Sequence, residues 1–116
     1  MTLATKAPAI SEADFQRRVV AMATLRGFRV AHFRPAQSRR GQWSTPMTGH
    51  PGFPDLVLAK AGRVLFLELK TQSGRLRPEQ IAWMDALSGD VALSSRVEAW
   101  VVRPSDWDAI VRLLER

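Results

Sequence analysis

The stretch from Gly52 to Lys70 constrains the fold most, because two apolar runs there flank Ala61-Gly62. A two-residue link with glycine between such runs predicts a β-hairpin, with strands over about residues 55–60 and 64–70. Centring the hairpin on its link pairs Lys60 with Arg63, Val57 with Phe66 and Asp55 with Glu68. One face then carries Leu56, Leu58, Leu65, Leu67 and Leu69. The other carries Val57, Ala59, Val64 and Phe66 toward the turn. A hairpin apolar on both faces needs cover on both. It belongs at the centre of a sheet with helices layered around it, an α/β arrangement.

The flanking sequence supplies those layers. Residues 1–10 read as a flexible lead-in, and residues 11–116 as a single domain. Ser11 is a candidate N-cap, with Asp14 three residues on. The helix it starts should run to about Arg26, with Phe15, Val19, Met22 and Ala23 on one face and Gly27 at its end. Residues 28–33 read as a strand. Residues 34–53 show no clear period, and long connections of that kind in a compact domain are usually functional or disordered. Pro78 suits the first turn of a second helix reaching Leu87 or Ser88, with Ile81, Met84 and Leu87 inward and Gly89 past its end. A strand over about residues 97–103 follows. Pro104-Ser105 then opens a last helix with Trp107, Ile110, Val111 and Leu114 on one stripe. The expected order is αβββαβα.

The hairpin register has a chemical consequence. Asp55 and Glu68 fall opposite each other, where like charges repel. Lys70, two residues beyond Glu68, shares that face. Two carboxylates about 4.5–5.5 Å apart at Cβ can reach one hard divalent ion, and such oxygen-rich sites suit Mg²⁺ or Mn²⁺. A metal there acidifies bound water and offsets charge on a phosphate oxygen, while Lys70 could orient or deprotonate that water. The competing reading is a salt cluster at a strand end. An odd-numbered turn would also break the pairing.

Charge points to the partner. Seventeen Lys and Arg against 11 Asp and Glu leave a net charge of +6. The basic residues are mostly arginine, which forks onto phosphate, so nucleic acid is the simplest polyanionic partner. Arg34, Arg39, Arg40 and Trp43 in the long connection are candidates for contacting it, with Trp43 as a stacking ring. Arg75 and Arg77, between Lys70 and the second helix, are candidates for phosphate contact. Trp83, Trp100 and Trp107 fit core or subunit-interface positions. His32 reads as an ordinary strand histidine and His50 as a loop histidine. The absence of cysteine excludes disulfides, thiolate metal sites and thiol nucleophiles, and makes the cytoplasm the simplest compartment. No stretch is apolar enough to span a membrane, and no apolar segment follows Lys6 as in a signal peptide.

Pro54-Asp55 followed by Glu68-Leu69-Lys70 resembles the PD-(D/E)xK nucleases, and more narrowly a VRR-NUC domain. Further matching pieces are Glu12 with Gln16, Gly52-Phe53-Pro54-Asp55, Glu68-Leu69-Lys70-Thr71, Gly74 with Pro78 and Gln80, and Arg103-Pro104-Ser105-Asp106. The resemblance covers most of residues 11–108. It implies a restriction-endonuclease-like αβββαβ core, a central mixed sheet flanked by helices, here followed by a C-terminal helix. It also implies phosphodiester hydrolysis dependent on Mg²⁺ or Mn²⁺, with no organic cofactor. Asp55, Glu68 and the Leu69 carbonyl would hold the metal, and Lys70 would serve the nucleophilic water. Glu12 matches the helix-1 glutamate at the site, a further candidate ligand, and Gln80 matches the glutamine after the motif strand. Small proteins of this kind tend to be homodimers, often phage-encoded, acting on branched DNA such as Holliday junctions. A flap or nicking nuclease is the alternative activity, and a catalytically silent nucleic-acid-binding module is the alternative class.

Overall fold

Ser11 starts the first helix as expected. Its side chain accepts the backbone N–H of Asp14 at 3.1 Å, and α1 runs Glu12–Leu25. The coordinates are a computed structural model that describes residues 9–33, 36–37, 43–44, 48–88 and 96–116. Residues 1–8 lie outside that set, as do Arg34, Arg39, Arg40, Gly89 and the side chain of Trp43. Among the described residues, six strands follow α1 in the order β1 (Arg29–His32), β2 (Ala36–Gln37), β3 (Trp43–Ser44), β4 (Leu56–Lys60), β5 (Arg63–Leu69) and β6 (Val97–Val102). Helix α2 (Pro78–Ser88) connects β5 to β6. A 3-10 turn over Pro104–Asp106 leads into α3 (Trp107–Glu115).

Four strands form one mixed sheet in the order β1-β4-β5-β6. β1–β4 and β4–β5 are antiparallel, and β5–β6 is parallel. The hairpin register is the expected one: Lys60 pairs with Arg63, Val57 with Phe66 and Leu56 with Leu67. Both turn residues have positive φ, Ala61 at 48° and Gly62 at 81°. That is the signature of the two-residue turn whose twist matches its strands. The hairpin is central, as two apolar faces demand. Its five leucines are wholly buried against Phe15, Val19 and Ala23 of α1 and Ile110, Leu113 and Leu114 of α3. Burying each such side chain is worth about 1.5–3 kcal/mol. α2 covers part of the other face.

Four details differ from the sequence expectation. The connection after β1 contains a short two-stranded sheet, β2 with β3. Two residues per strand are too few to show a period. α2 turns Gln80 and Met84 inward and leaves Ile81 44% exposed, because Gln80 bonds the buried Glu68 and the Arg77 N–H, partners that Ile81 could not satisfy. On α3, Leu113 joins the buried stripe and Val111 is only half-buried. Trp100 on the edge strand β6 is 46% exposed, so of its two expected positions, core or subunit interface, the core one is excluded. No helix among the described residues is long and apolar enough to cross a membrane.

Candidate nuclease site

The register fixes where Asp55 and Glu68 meet. The last ladder pair of the hairpin is Leu56 with Leu67, so the next pair outward is Asp55 with Glu68. Their side chains share the face opposite the buried leucines. Asp55 is anchored twice. Its Oδ2 accepts the backbone N–H of Leu69 at 2.9 Å, and its carbonyl accepts the N–H of Phe33 at 3.1 Å. Lys70 begins just beyond β5, its N–H donating to the Val102 carbonyl at 3.0 Å, and its side chain returns to the Glu68 face.

Glu68 is 2% exposed. Its carboxyl is pushed from the usual 4.5 up to about 8, first by burial, then by the charge of Asp55 and a hydrogen bond with it. Lys70 pulls in the opposite direction, and Glu12 at the start of α1 adds a smaller upward push. Asp55, Glu68, Lys70 and Glu12 therefore share one electrostatic environment. Glu12 acts on the pair through its charge and does not close it into a group of three carboxylates. Among the described residues, no three His, Cys, Asp or Glu side chains gather around one point.

α2 supplies the fourth wall. The Gln80 Oε1 accepts the backbone N–H of Arg77 at 2.9 Å, which leaves its Nε2 to donate to Glu68 Oε1 at 3.1 Å. Gln80 is thus oriented by the backbone and orients Glu68 in turn. The loop before Asp55 is held against the same helix. Gly52 has φ +89°, and a Cβ there would lie 2.7 Å from the Glu79 carbonyl carbon, so only glycine fits. Phe53 meets Phe33, Phe66 and Trp83 edge to face, with centroids 5.4, 5.9 and 4.9 Å away. The Trp83 indole donates to the His50 carbonyl at 3.2 Å. Trp83 is therefore a prop for the Gly52–Asp55 loop.

Residues after the motif strand are tied down from 30 positions away. Arg103 Nη1 donates to the carbonyls of Thr71 at 2.6 Å and Gly74 at 2.7 Å. Gln72 and Ser105 exchange two hydrogen bonds, of 2.9 and 3.1 Å. The sequence marked Arg103 and Ser105 only as motif pieces and assigned them no partners. Arg75 and Arg77 are exposed on this loop, and Arg77 pairs with Glu79 at 3.3 Å. A separate cleft between β6 and α3, lined by Trp100, Ile110 and Leu113, holds neither of the paired carboxylates.

The profile of the VRR-NUC domain matches residues 38–104, more than half of the sequence. The chain belongs to the VRR-NUC domain family. That family is one of nuclease domains, and the matched span contains Asp55, Glu68, Lys70, Gln80 and Arg103. Glu12 precedes it, so its link to the site rests on its charge acting on Glu68. No curated protein and no solved structure matches the chain.

The donor set fits a hard divalent cation. The two carboxylates offer oxygen donors only, and water can complete such a shell. The pair is also costly without a cation, since burial and the Asp55 charge push Glu68 toward protonation.

Proposed function

We propose that this VRR-NUC chain is a metal-dependent DNA endonuclease that hydrolyses phosphodiester bonds and prefers branched DNA. The observation that carries the reading is the convergence of Asp55 and Glu68 at the open end of the hairpin, with Lys70 on the same face. The PD-(D/E)xK pattern places the same residue types in those roles. A Mg²⁺ or Mn²⁺ ion held by Asp55, Glu68 and the Leu69 carbonyl would supply charge for the phosphate oxygens and a more acidic water. Asp55 is held for this task by the Leu69 and Phe33 N–H groups, and Glu68 by Gln80. Lys70 orients the attacking water and takes or gives a proton through its Nζ. Glu12 adds negative charge beside the pair and so favours a cation there. Arg75 and Arg77, exposed beside Lys70, give phosphates a landing.

Branch selectivity and dimerisation go together in this reading, since a two-fold pair presents two sites to two symmetric strands. The test is cleavage of a four-way junction in Mg²⁺, compared with flap, splayed and plain duplex DNA of matched sequence. Junction cutting should require the metal and fall about 10²–10⁴-fold in Lys70→Ala. Equal cutting of plain duplex would remove the branch preference. Absence of metal binding by calorimetry, with or without DNA, would favour a silent binding module.

A further inference from the structure

The face that carries the carboxylate pair continues past Asp55 onto β1. Ala31 pairs with Val57 and His32 with Leu56, so the next pair outward is Phe33 with Asp55. The 3.1 Å hydrogen bond from Phe33 N–H to the Asp55 carbonyl continues that ladder. Phe33, Asp55 and Glu68 therefore form one row across three strands on one face. α2 covers the Glu68 end of this row through Gln80. Among the described residues the β1 end is open. Arg29, Ala31 and Phe33 are all exposed, and Phe33 keeps 42% of its surface.

Phe33 packs one part of its ring on Phe53 and leaves the rest open beside Asp55. Its ring is also held: Phe53 meets it at 88° with centroids 5.4 Å apart, and Phe53 is itself braced by Phe66 and Trp83. A braced ring with an open surface is suited to stacking on a planar ring. The partner must also be compatible with a phosphodiester lying over Asp55 and Glu68.

We infer that Phe33 stacks on an unpaired nucleobase next to the scissile phosphate. This deepens the proposed endonuclease activity and rests on it. Within a continuous duplex both faces of every base are covered by neighbours, so Phe33 has nothing to stack on. At a branch point a base face opens. Phe33 thus gives branched DNA an attraction that duplex lacks, and Arg29, about 13 Å further along β1, extends a cationic path for the displaced strand.

The experiment compares wild type, Phe33→Ala, Phe33→Leu and Phe33→Trp on a four-way junction and on duplex of the same sequence. KM and kcat are measured in Mg²⁺, and equilibrium binding by fluorescence anisotropy in chelator. Phe33→Ala should raise KM and weaken binding on the junction by about 5- to 150-fold, with a smaller change in kcat and on duplex. Phe33→Trp should restore binding, and Phe33→Leu, apolar but without a π face, should not. Abasic residues placed in turn within three nucleotides of the cut should reveal one position where wild type binds as weakly as Phe33→Ala binds intact DNA. The two changes together should then cost no more than either alone. Unchanged junction preference in Phe33→Ala, full activity in Phe33→Leu, or additive losses at every abasic position would overturn the stacking role. If wild type cuts no substrate, the nuclease reading fails, while the anisotropy series still decides whether Phe33 holds a base.

Discussion

Replacing Glu68 with glutamine should make the metal-free protein more stable at alkaline pH. Folding moves the Glu68 carboxyl from the usual 4.5 to about 8. Between those values the folded chain holds a proton that the unfolded chain has released. Stability therefore falls as pH rises through this window, and the loss is complete above the folded value. At about 1.4 kcal/mol per pH unit, the window corresponds to roughly 5 kcal/mol, a penalty belonging to the Asp55–Glu68 pair as a unit. Glutamine resembles the protonated acid: it keeps an acceptor for Gln80 Nε2 and a donor for Asp55. Glu68→Gln should match wild type near pH 5 and exceed it by several kcal/mol near pH 9. Urea unfolding in chelator at pH 5, 7 and 9 measures this directly. Added Mg²⁺ should recover much of the wild-type loss at pH 9 and do less for the variant. Parallel pH profiles for the two proteins, or a wild-type stability that rises from pH 5 to 8, would refute the reasoning.

Three further outcomes are expected. Gly52→Ala places a methyl 2.7 Å from the Glu79 backbone at a φ of +89°, and should destabilise the fold by about 1–3 kcal/mol in denaturant unfolding while lowering cleavage. Ala61→Asn relieves a left-handed alanine and should stabilise the hairpin by about 1 kcal/mol, seen as a higher melting temperature with unchanged metal affinity. Arg103→Ala strips the carbonyls of Thr71 and Gly74 of a charged donor and should cost about 1.5–3 kcal/mol. Hydrogen exchange should show faster amide exchange in residues 71–77 of that variant.

What the sequence revealed depended on how far each relation reached. The hairpin was legible because a two-residue turn and a period of two together fix parity, so the Asp55–Glu68 alignment followed from counting. Ser11 and Pro78 announced their helices through local chemistry. The rotation of α2 was not legible: apolar spacing favoured Ile81, and the buried bonds of Gln80 to Glu68 and Arg77 became apparent only in three dimensions. Arg103 was unreadable as a clamp for a similar reason, since its partners lie about 30 residues earlier. Phe33 needed the β1–β4 register before its nearness to Asp55 could be seen. Arg34, Arg39, Arg40 and the Trp43 ring fall outside the described residues, so their candidacy as DNA contacts rests on the sequence alone.

The Arg103 bonds also impose an order on assembly. The hairpin closes locally and can align Asp55 with Glu68 as soon as residue 70 is available. The loop from Thr71 to Gly74 gains its ties only after α2 has crossed over and β6 has docked in parallel, a pairing that joins distant parts of the chain and forms slowly for that reason. A chain interrupted before residues 97–106 lacks Val102 and Arg103, and so carries the Asp55–Glu68 pair without the frame that holds Lys70 and the loop after it.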